Sequence, residues 1–262
     1  MKLSDAADVL LDAEVSARAI EPLTDRWKEL DVPTASALQR LTLSRRLERG
    51  EHVSGVKLGL TSRAKQQRMG IDTPITAFLT DAMALHLGAP LRLEELIHPR
   101  AEPEIVFFMG ERLAGPGVTA AEALSAVSSI ACGVEIIDSR FLDFRFLLPD
   151  VIADNASAAR YVLGPRRVEP FSIDLTLEAC VVDVDGQVVD SATGAAVQGH
   201  PAEALAEAAN ALARDGIAIE AGWTVLTGGM TDAVELGSGS SLRVDFTHLG
   251  SVLIQAVGGD AP

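Results

Sequence analysis

The stretch His98-Pro-Arg-Ala-Glu-Pro-Glu-Ile-Val-Phe-Phe-Met109 is apolar on both sides of the β-strand that it predicts. Side chains alternate across a strand, so Glu102 and Glu104 share one face, which continues as Val106 and Phe108. A strand that is apolar on both faces is buried, and two adjacent carboxylates inside it repel each other and lose hydration. We therefore expect a cation between them.

A third acidic residue has a similar setting. Glu135 lies in Cys132-Gly-Val-Glu-Ile-Ile-Asp138, which is otherwise an apolar strand. Three glutamates without a nearby His or Cys pair favour a hard cation, Mg²⁺ or Mn²⁺, over zinc. Such an ion keeps positions free, at which a 2-oxo acid can chelate through its carboxylate and carbonyl oxygens. The alternatives are solvated glutamates at strand ends, or an internal salt-bridge set with Arg100 and Arg140.

The composition of the whole chain disfavours several classes of protein. The 262 residues include 22 Lys and Arg against 37 Asp and Glu, and the net charge of −15 argues against nucleic acid or an anionic membrane surface as a partner. No apolar run is long enough to span a membrane, and the N-terminus lacks the pattern of a signal peptide, so we expect a cytoplasmic protein. Cys132 and Cys180 lie far apart in apolar runs and are expected to be reduced core thiols.

The chain is predicted to form a single domain, residues 1–262, of the α+β class. Residues 1–50 are expected to be helical, because apolar residues recur at helical spacing over Leu3–Ile20 and again over Thr34–Gly50 with Thr34 as the cap. Residues 51–258 predict a β-rich body. Its apolar runs of strand length are Val53–Leu60, Ile105–Met109, Val134–Ile137, Tyr161–Leu163, Leu175–Val182, Trp223–Leu226, Leu242–Phe246 and Val252–Val257.

Two further helices are predicted to interrupt this body. The first has a capping box at Thr119 and Glu122, in which each side chain accepts from a backbone N–H group of the other residue. An apolar face is expected to continue this helix to Ile130. The second helix begins at Pro201 and is expected to end before Gly216.

Four motifs lie along the chain in a characteristic order. They are Gly55-Val-Lys-Leu-Gly-Leu-Thr-Ser62, Ala-Glu-Pro-Glu104, Gly-Val-Glu-Ile-Ile-Asp-Ser-Arg140 and Ala-Asp-Asn-Ala-Ser157. In order and spacing they resemble the 2-keto-4-pentenoate hydratase and 4-oxalocrotonate decarboxylase family, part of the fumarylacetoacetase-like superfamily, over about residues 50 to 256. The resemblance implies a mixed, rolled β-sheet core of the fumarylacetoacetase C-terminal type, acting in the meta-cleavage breakdown of aromatic compounds. It also implies that Mg²⁺ or Mn²⁺ is held by Glu102, Glu104 and Glu135.

The segment Thr73-Pro-Ile-Thr-Ala-Phe-Leu79 favours the decarboxylase branch of this family. In the hydratase branch of the family, the sequence of this segment looks like Pro-Asp-x-Gly. In the decarboxylase branch it looks like Thr-Pro-Ile-Tyr-Gly-Phe-Leu, and this chain is similar to that sequence except at Thr76 and Ala77. Ile75 stands where a hydratase has its acid, and an apolar side chain there would help to exclude water from the reacting dienolate.

The resemblance implies decarboxylation of a small 2-oxo dicarboxylic acid, 2-oxo-3-hexenedioate (4-oxalocrotonate), to 2-hydroxy-2,4-pentadienoate. A dianionic substrate needs local positive potential, which the metal ion and Lys57 would supply. Ser157 would donate a hydrogen bond to the substrate carboxylate or enolate oxygen. Ile75 and Leu60 are expected to line the substrate, and His200 either to orient its second carboxylate or to cap the helix that follows.

Two other functions stay open from the sequence. A hydratase would add water to 2-hydroxy-2,4-pentadienoate to give 4-hydroxy-2-oxopentanoate, and Thr76 could hold that water. A non-catalytic family member could serve as an assembly subunit, for example in a complex with the hydratase of the same pathway, although the three glutamates and Lys57 speak against it. A homo-oligomer is expected from the large apolar fraction.

Overall fold

In the computed structural model, helices form most of the first fifty residues and strands form much of the remainder. The structure describes residues 1–258, and it describes the side chains of all of these residues except 64, 65 and 68. The helices are α1 (Leu3–Val15), α2 (Leu23–Arg26), α3 (Val32–Glu48), α4 (Arg63–Met69), α5 (Ala120–Ser125), α6 (Leu148–Ala153) and α7 (Pro201–Leu212). The strands are β1 (Val53–Gly59), β2 (Ile75–Thr80), β3 (Ala84–Leu85), β4 (Leu91–Arg92), β5 (Arg100–Met109), β6 (Val127–Ile137), β7 (Ala158–Leu163), β8 (Ala179–Val184), β9 (Gln187–Thr193), β10 (Thr224–Leu226), β11 (Val234–Glu235), β12 (Ser241–Phe246) and β13 (Gly250–Val257).

The larger of the two sheets mixes parallel and antiparallel neighbours. Its strand order is β2-β1-β10-β5-β6-β7-β3, and β11 pairs with the start of β5. Strand β1 runs parallel to β10, whereas β5 is antiparallel to both β10 and β6. These directions place the strand termini Gly59, Ile75, Arg100, Ile137 and Ala158 at one end of the sheet, which we call the Arg100 end.

The larger sheet is curled. Lys57 on β1 and Glu135 on β6 are separated by the two strands β10 and β5. In a flat sheet, three strand spacings would place the backbones of these two residues at least about 14 Å apart. Their side chains nevertheless form an ion pair of 3.1 Å. Ser54 on β1 and Tyr161 on β7 are one spacing further apart, yet their hydroxyl oxygens lie 3.1 Å from each other. The sheet therefore rolls around an interior, which confirms the predicted rolled, mixed sheet.

The curled sheet divides the apolar core. Its interior holds one cluster: Leu79, Met83, Val106, Ala158, Tyr161 and Leu226. Its outer face packs against α5, α7 and the second sheet, which has the order β4-β13-β12-β8-β9. A third cluster joins α1, α3 and α6, in agreement with the predicted helical N-terminal part. The assignment of residues 1–262 to one domain stays a prediction, and residues 259–262 lie outside the described residues.

The helix predicted to continue from Thr119 to Ile130 is wrong in its second half. The capping box is present, because Thr119 Oγ1 accepts the Glu122 N–H at 3.3 Å and the Glu122 carboxylate accepts the Thr119 N–H at 2.9 Å. The helix ends at Ser125, however, and Ile130 lies inside β6. Apolar residues at a spacing of three suit one face of a helix, but a strand that is buried on both faces also carries apolar residues at that spacing. Residues 127–137 pair with β5, so they form a strand.

The predicted helix boundaries near the N-terminus also shift. Ile20 lies outside α1 and forms a parallel β-bridge with Phe141 instead. The cap of α3 is Asp31, three residues before the predicted cap Thr34, and its carboxylate accepts the Thr34 N–H at 2.9 Å. A side chain that can accept the free N–H groups of the first turn fixes where a helix begins, and aspartate does so as well as threonine.

The strand predicted over Leu175–Val182 begins later. Asp174 holds a turn at this point: its carboxylate accepts the Thr176 N–H at 2.9 Å, and its carbonyl oxygen accepts the Glu178 N–H at 3.0 Å. Strand β8 therefore starts after this turn, at Ala179.

Two expectations from composition can be compared with the described residues. Cys132 and Cys180 are both free and both buried, as predicted. Among the helices within residues 1–258, none is both long enough and apolar enough to cross a bilayer.

Candidate metal centre

Three glutamates converge in the interior of the curled sheet. Glu102 on β5 and Glu135 on β6 are directly opposed, and Glu104 faces Gly133 two residues further along. One carboxylate oxygen from each glutamate lies within 4.8 Å of the others. Glu104 and Glu135 are only 0% and 1% exposed, and Glu102 is 9% exposed. The structure thus brings together the acidic residues that the sequence singles out, and buries them.

One cation beside these carboxylates is Lys57. Its Nζ lies 3.1 Å from Glu135 Oε2 and donates a hydrogen bond to the carbonyl oxygen of Ala156 at 2.9 Å. The lysine side chain is 3% exposed. A lysine so deeply buried beside a carboxylate belongs to the site and does not extend into solvent.

The two arginines considered as salt-bridge partners of the glutamates have other partners. Arg100 pairs with Glu235 at 2.8 Å. Arg140 is buried and pairs with Asp154, which also accepts the backbone N–H of Arg140 at 3.2 Å. The alternative in which these arginines neutralise the glutamate cluster is therefore wrong.

Hydrogen bonds satisfy only some of the carboxylate oxygens of the cluster. Glu104 Oε2 accepts the backbone N–H of Gly228 at 2.7 Å, but Glu104 Oε1 and Glu135 Oε1 have no hydrogen-bond partner among the described residues. Burial, and then the charges of Glu135 and Glu102, raise the pKa of Glu104 well above its ordinary value. Burial also raises the pKa of Glu135, although Lys57 opposes the change.

This arrangement suits a divalent ion. Buried oxygens without donors cost free energy, and a cation can satisfy several of them at once. The donors are carboxylate oxygens from three glutamates, which is a set that Mg²⁺ and Mn²⁺ accept and that zinc seldom uses. Glu102, Glu104 and Glu135 are thus the residues that could hold such an ion.

Two glycines after β10 form a wall of the cluster. Gly228 has φ of 114°, and a Cβ there would lie 2.1 Å from Thr61 Oγ1. A Cβ on Gly229 would lie 2.8 Å from Glu102 Cδ. Only glycine fits at either position without displacing a neighbour. Reasoning from the sequence missed this role, and the signal that could have found it is a pair of adjacent glycines directly after an apolar strand.

Ser157 belongs to a turn at the Arg100 end of the sheet. Asn155, Ala156 and Ser157 all have left-handed backbones, with φ of 50°, 50° and 59°. The carbonyl oxygen of Ala156 accepts from Lys57, so the turn brings Ser157 close to the lysine. The Ser157 hydroxyl donates to Asp154 over 3.4 Å, a weak hydrogen bond that leaves it free to turn to another acceptor.

Strand β2 is held at its outer edge through backbone atoms. Asn155 Oδ1 accepts the Phe78 N–H at 3.0 Å, and Asn155 Nδ2 donates to the Phe78 carbonyl oxygen at 2.9 Å. Gln39 Nε2 on α3 donates to the Thr76 carbonyl oxygen at 3.0 Å. The turn before β7 and the N-terminal helices thus position β2 beside the site.

The register of β2 decides which of its side chains face the interior. Ala77 is opposite Lys57 and Ile75 is opposite Gly59, so both share the face of Lys57. A Cβ on Gly59 would lie 3.0 Å from Ile75 Cγ1, which shows how closely Ile75 covers the strand. Thr76 lies on the opposite face.

Leu60 and His200 occupy less central positions. Leu60 follows β1 directly, is half-buried and has a left-handed backbone with φ of 57°. His200 is the N-cap of α7, and its Nδ1 accepts the Ala202 N–H at 3.0 Å. None of the contacts described for His200 reaches the glutamates. The structure gives it the capping role, one of the two that the sequence predicts.

Comparison with known proteins places the chain in a family. The family described as fumarylacetoacetate (FAA) hydrolase C-terminal matches residues 50–256. A 4-oxalocrotonate decarboxylase from Pseudomonas sp. is 43% identical over 98% of this chain and 99% of that relative. A 2-hydroxyhexa-2,4-dienoate hydratase from Comamonas testosteroni is 39% identical over 94% of each chain.

A solved structure agrees with this placement. The 4-oxalocrotonate decarboxylase from Pseudomonas putida G7, complexed with magnesium and adipate, is similar to this chain with a TM-score of 0.94 and 36% identity over 97% of each chain. The rolled sheet, the buried glutamates and these likenesses lead to one conclusion: the chain belongs to the fumarylacetoacetate hydrolase C-terminal family.

Proposed function

We propose that this protein is a decarboxylase that depends on a divalent metal and converts 2-oxo-3-hexenedioate to 2-hydroxy-2,4-pentadienoate and CO₂. The observation that carries the proposal is the buried glutamate cluster beside Lys57. Two carboxylate oxygens of this cluster, Glu104 Oε1 and Glu135 Oε1, have neither a hydrogen-bond nor an ion-pair partner among the described residues. The similarity to 4-oxalocrotonate decarboxylases supports the choice of substrate. Glu102, Glu104 and Glu135 would hold Mg²⁺ or Mn²⁺.

The reaction requires charge to move from one end of the substrate to the other. The bond between C5 and C6 breaks, CO₂ leaves, and the electron pair moves through the C3–C4 double bond to the C2 oxygen, which takes up a proton. A divalent ion held by Glu102, Glu104 and Glu135 would stabilise the negative charge that develops on that oxygen. Lys57, fixed by Glu135 and Ala156, adds positive potential in a site where burial strengthens it.

Other residues at the Arg100 end of the sheet would shape the substrate pocket. Ser157 would donate a hydrogen bond to the C1 carboxylate or the C2 oxygen. Ile75, on the face of Lys57, would exclude water from the reacting carbons. Leu60 and His200 would complete the wall around the substrate. A homo-oligomer and a complex with the pathway hydratase stay predictions.

Hydration of 2-hydroxy-2,4-pentadienoate is the second candidate function. The similarity to hydratases such as that of Comamonas testosteroni supports it. The register of β2 argues against it, because the interior face carries the apolar Ile75, whereas Thr76, the side chain that could hold a water, lies on the other face. The decarboxylase is therefore preferred.

The test is turnover of 2-oxo-3-hexenedioate by the full-length protein loaded with Mg²⁺. We expect CO₂ release that stops when EDTA is added and returns with excess Mg²⁺. Glu104→Gln should keep the fold but lose both metal binding and turnover, whereas Glu220→Gln, at an exposed surface ion pair, should keep both. Undiminished turnover in EDTA or by Glu104→Gln would contradict the proposal. If the protein instead consumes 2-hydroxy-2,4-pentadienoate and releases no CO₂ from the diacid, the hydratase is favoured.

A further inference from the structure

The proposed substrate has a second carboxylate. Among the described residues, neither Lys57 nor His200 offers it a free positive charge. Lys57 is committed to Glu135 and Ala156, and it lies among the glutamates. His200 uses Nδ1 to cap its own helix. In a chain with a net charge of −15, a second anionic group needs a cation of its own nearby.

Arg100 lies where such a cation is needed. It is the first residue of β5 and has the same parity along the strand as Glu102 and Glu104, so its Cβ is on the interior face with theirs. Two residues advance a strand by about 6.6 Å. That is comparable to the separation of the two carboxylates in an extended six-carbon diacid. Ile75 and Ser157 lie at the same end of the sheet.

The guanidinium of Arg100 is held in place by a stack of side chains. Its Cζ lies 4.2 Å from the centre of the Phe144 ring, which in turn lies 4.5 Å from the centre of the His98 ring. His98 is fixed because its Nε2 donates to the carbonyl oxygen of Ser139 at 2.8 Å. A guanidinium that lies over an aromatic ring is attracted to the face of that ring without using its N–H donors.

The same guanidinium keeps donors for a ligand. Its described hydrogen bond uses Nη2, which donates to Glu235 at 2.8 Å, and an arginine offers five N–H groups. Glu235 is 77% exposed, so water screens this ion pair and holds it weakly. Arg100 itself is 34% exposed, which leaves it accessible to a ligand.

We propose that Arg100 binds the second carboxylate of the substrate and thereby selects dicarboxylic over monocarboxylic 2-oxo acids. This inference rests on the proposed function and names the residue that sets its substrate class. A planar, fork-shaped guanidinium suits a carboxylate better than a lysine does.

The position of Arg100 predicts a particular kinetic signature. The second carboxylate loses its charge as CO₂ forms, so an ion pair with it is stronger in the bound substrate than in the transition state. Replacing Arg100 should therefore raise KM without lowering kcat. An arginine that only anchors the start of β5 would give a different result, with lower thermal stability and a lower kcat.

The test compares two ligands that differ only at the distal carboxylate. Binding of 2-oxoadipate and 2-oxohexanoate to the full-length, Mg²⁺-loaded protein is measured by calorimetry. The wild type should bind 2-oxoadipate roughly 10- to 100-fold more tightly, the range expected for hydrogen bonds to a charged group. Arg100→Gln should lose most of this preference while binding 2-oxohexanoate as the wild type does, and Arg100→Lys should keep part of it.

Matched variants separate the explanations. Arg112→Gln breaks a comparable exposed pair with Glu220 and should keep the preference. The proposal is overturned if Arg100→Gln retains the preference, if it weakens both ligands equally, or if His200→Gln rather than Arg100→Gln abolishes the preference. A wild type that shows the preference but releases no CO₂ from 2-oxo-3-hexenedioate would contradict the proposed function and leave the role of Arg100 supported.

Discussion

The backbone of Gly229 lies directly against the carboxyl group of Glu102. A Cβ at this glycine would be 2.8 Å from Glu102 Cδ and 3.0 Å from each of its oxygens. The obstructing atoms are the end of a side chain, which can move, and not part of the backbone. A larger residue at Gly229 is therefore expected to displace the carboxylate and leave the fold intact.

Gly229→Ala should weaken Mg²⁺ binding by roughly 10- to 100-fold, the usual effect of disturbing a group that orients a metal ligand. Calorimetric titration of the metal-free protein measures the change, and the melting temperature without metal should hardly move. Gly237→Ala is the matched control, because a Cβ there meets only Ser240 Oγ, at 3.5 Å. Equal Mg²⁺ affinities for the two variants would show that Gly229 does not position Glu102.

Magnesium binding should tighten as the pH rises. In the metal-free protein, burial and neighbouring charges raise the pKa of Glu104, and burial raises that of Glu135. The ion needs both carboxylates ionised, so protons compete with it and are released when it binds. The competition weakens as the pH rises through these raised values. Calorimetry in buffers of different ionisation enthalpy measures the release, and an affinity that is the same at about pH 6 and about pH 8 would contradict this.

Lys57→Met should destabilise the metal-free protein more than the metal-loaded protein. Removing one partner of a buried ion pair costs about 3–5 kcal/mol when nothing replaces it. Glu135 then loses this ion-pair partner, but a bound divalent ion would supply positive charge. The rise in melting temperature on adding Mg²⁺ should thus be larger for Lys57→Met than for the wild type, whereas turnover falls roughly 100-fold or more.

Lys28→Met, at an exposed position, is the control for the loss of a lysine. It should match the wild type in both measurements. A smaller stabilisation of Lys57→Met by Mg²⁺ would mean that Lys57 supports metal binding and does not compete with the ion for Glu135.

The two cysteines should resist thiol reagents in the folded protein. Burial raises the pKa of Cys132 and of Cys180 to about 11. At about pH 8 only about one thiol in a thousand is then ionised, and the thiolate is the reactive form. A chromogenic disulfide should react slowly with the native protein and with two thiols after denaturation in urea. Rapid labelling of the native protein would show that the core opens at one of these residues.

The glutamate cluster could be predicted because its signals are local. Strand alternation puts Glu102 and Glu104 on one face, and apolar neighbours on both faces mark their strand, and that of Glu135, as buried. The partner of Glu135 could not be predicted in this way. Lys57 reaches it only because the sheet curls, and curling depends on the pairing of strands far apart in the chain.

The ends of helices were the least predictable elements. Capping boxes are local, so the start of α5 at Thr119 follows from the sequence. Its end does not, because the residues up to Ile130 pair with β5 and so form a strand despite their helical spacing. The role of Gly229 and the stacking of Arg100 on Phe144 depend on segments that meet only in the folded chain.

The clamp that Asn155 places on Phe78 affects how this scaffold can acquire new specificities. The Asn155 side chain forms hydrogen bonds with the backbone N–H and carbonyl oxygen of Phe78, as a neighbouring strand would. Gln39 likewise contacts only a backbone carbonyl oxygen, that of Thr76. Neither contact depends on which side chains β2 displays. An exchange of Ile75 for an acid would therefore leave both of these contacts in place, so relatives with different chemistries can differ at this position without losing them.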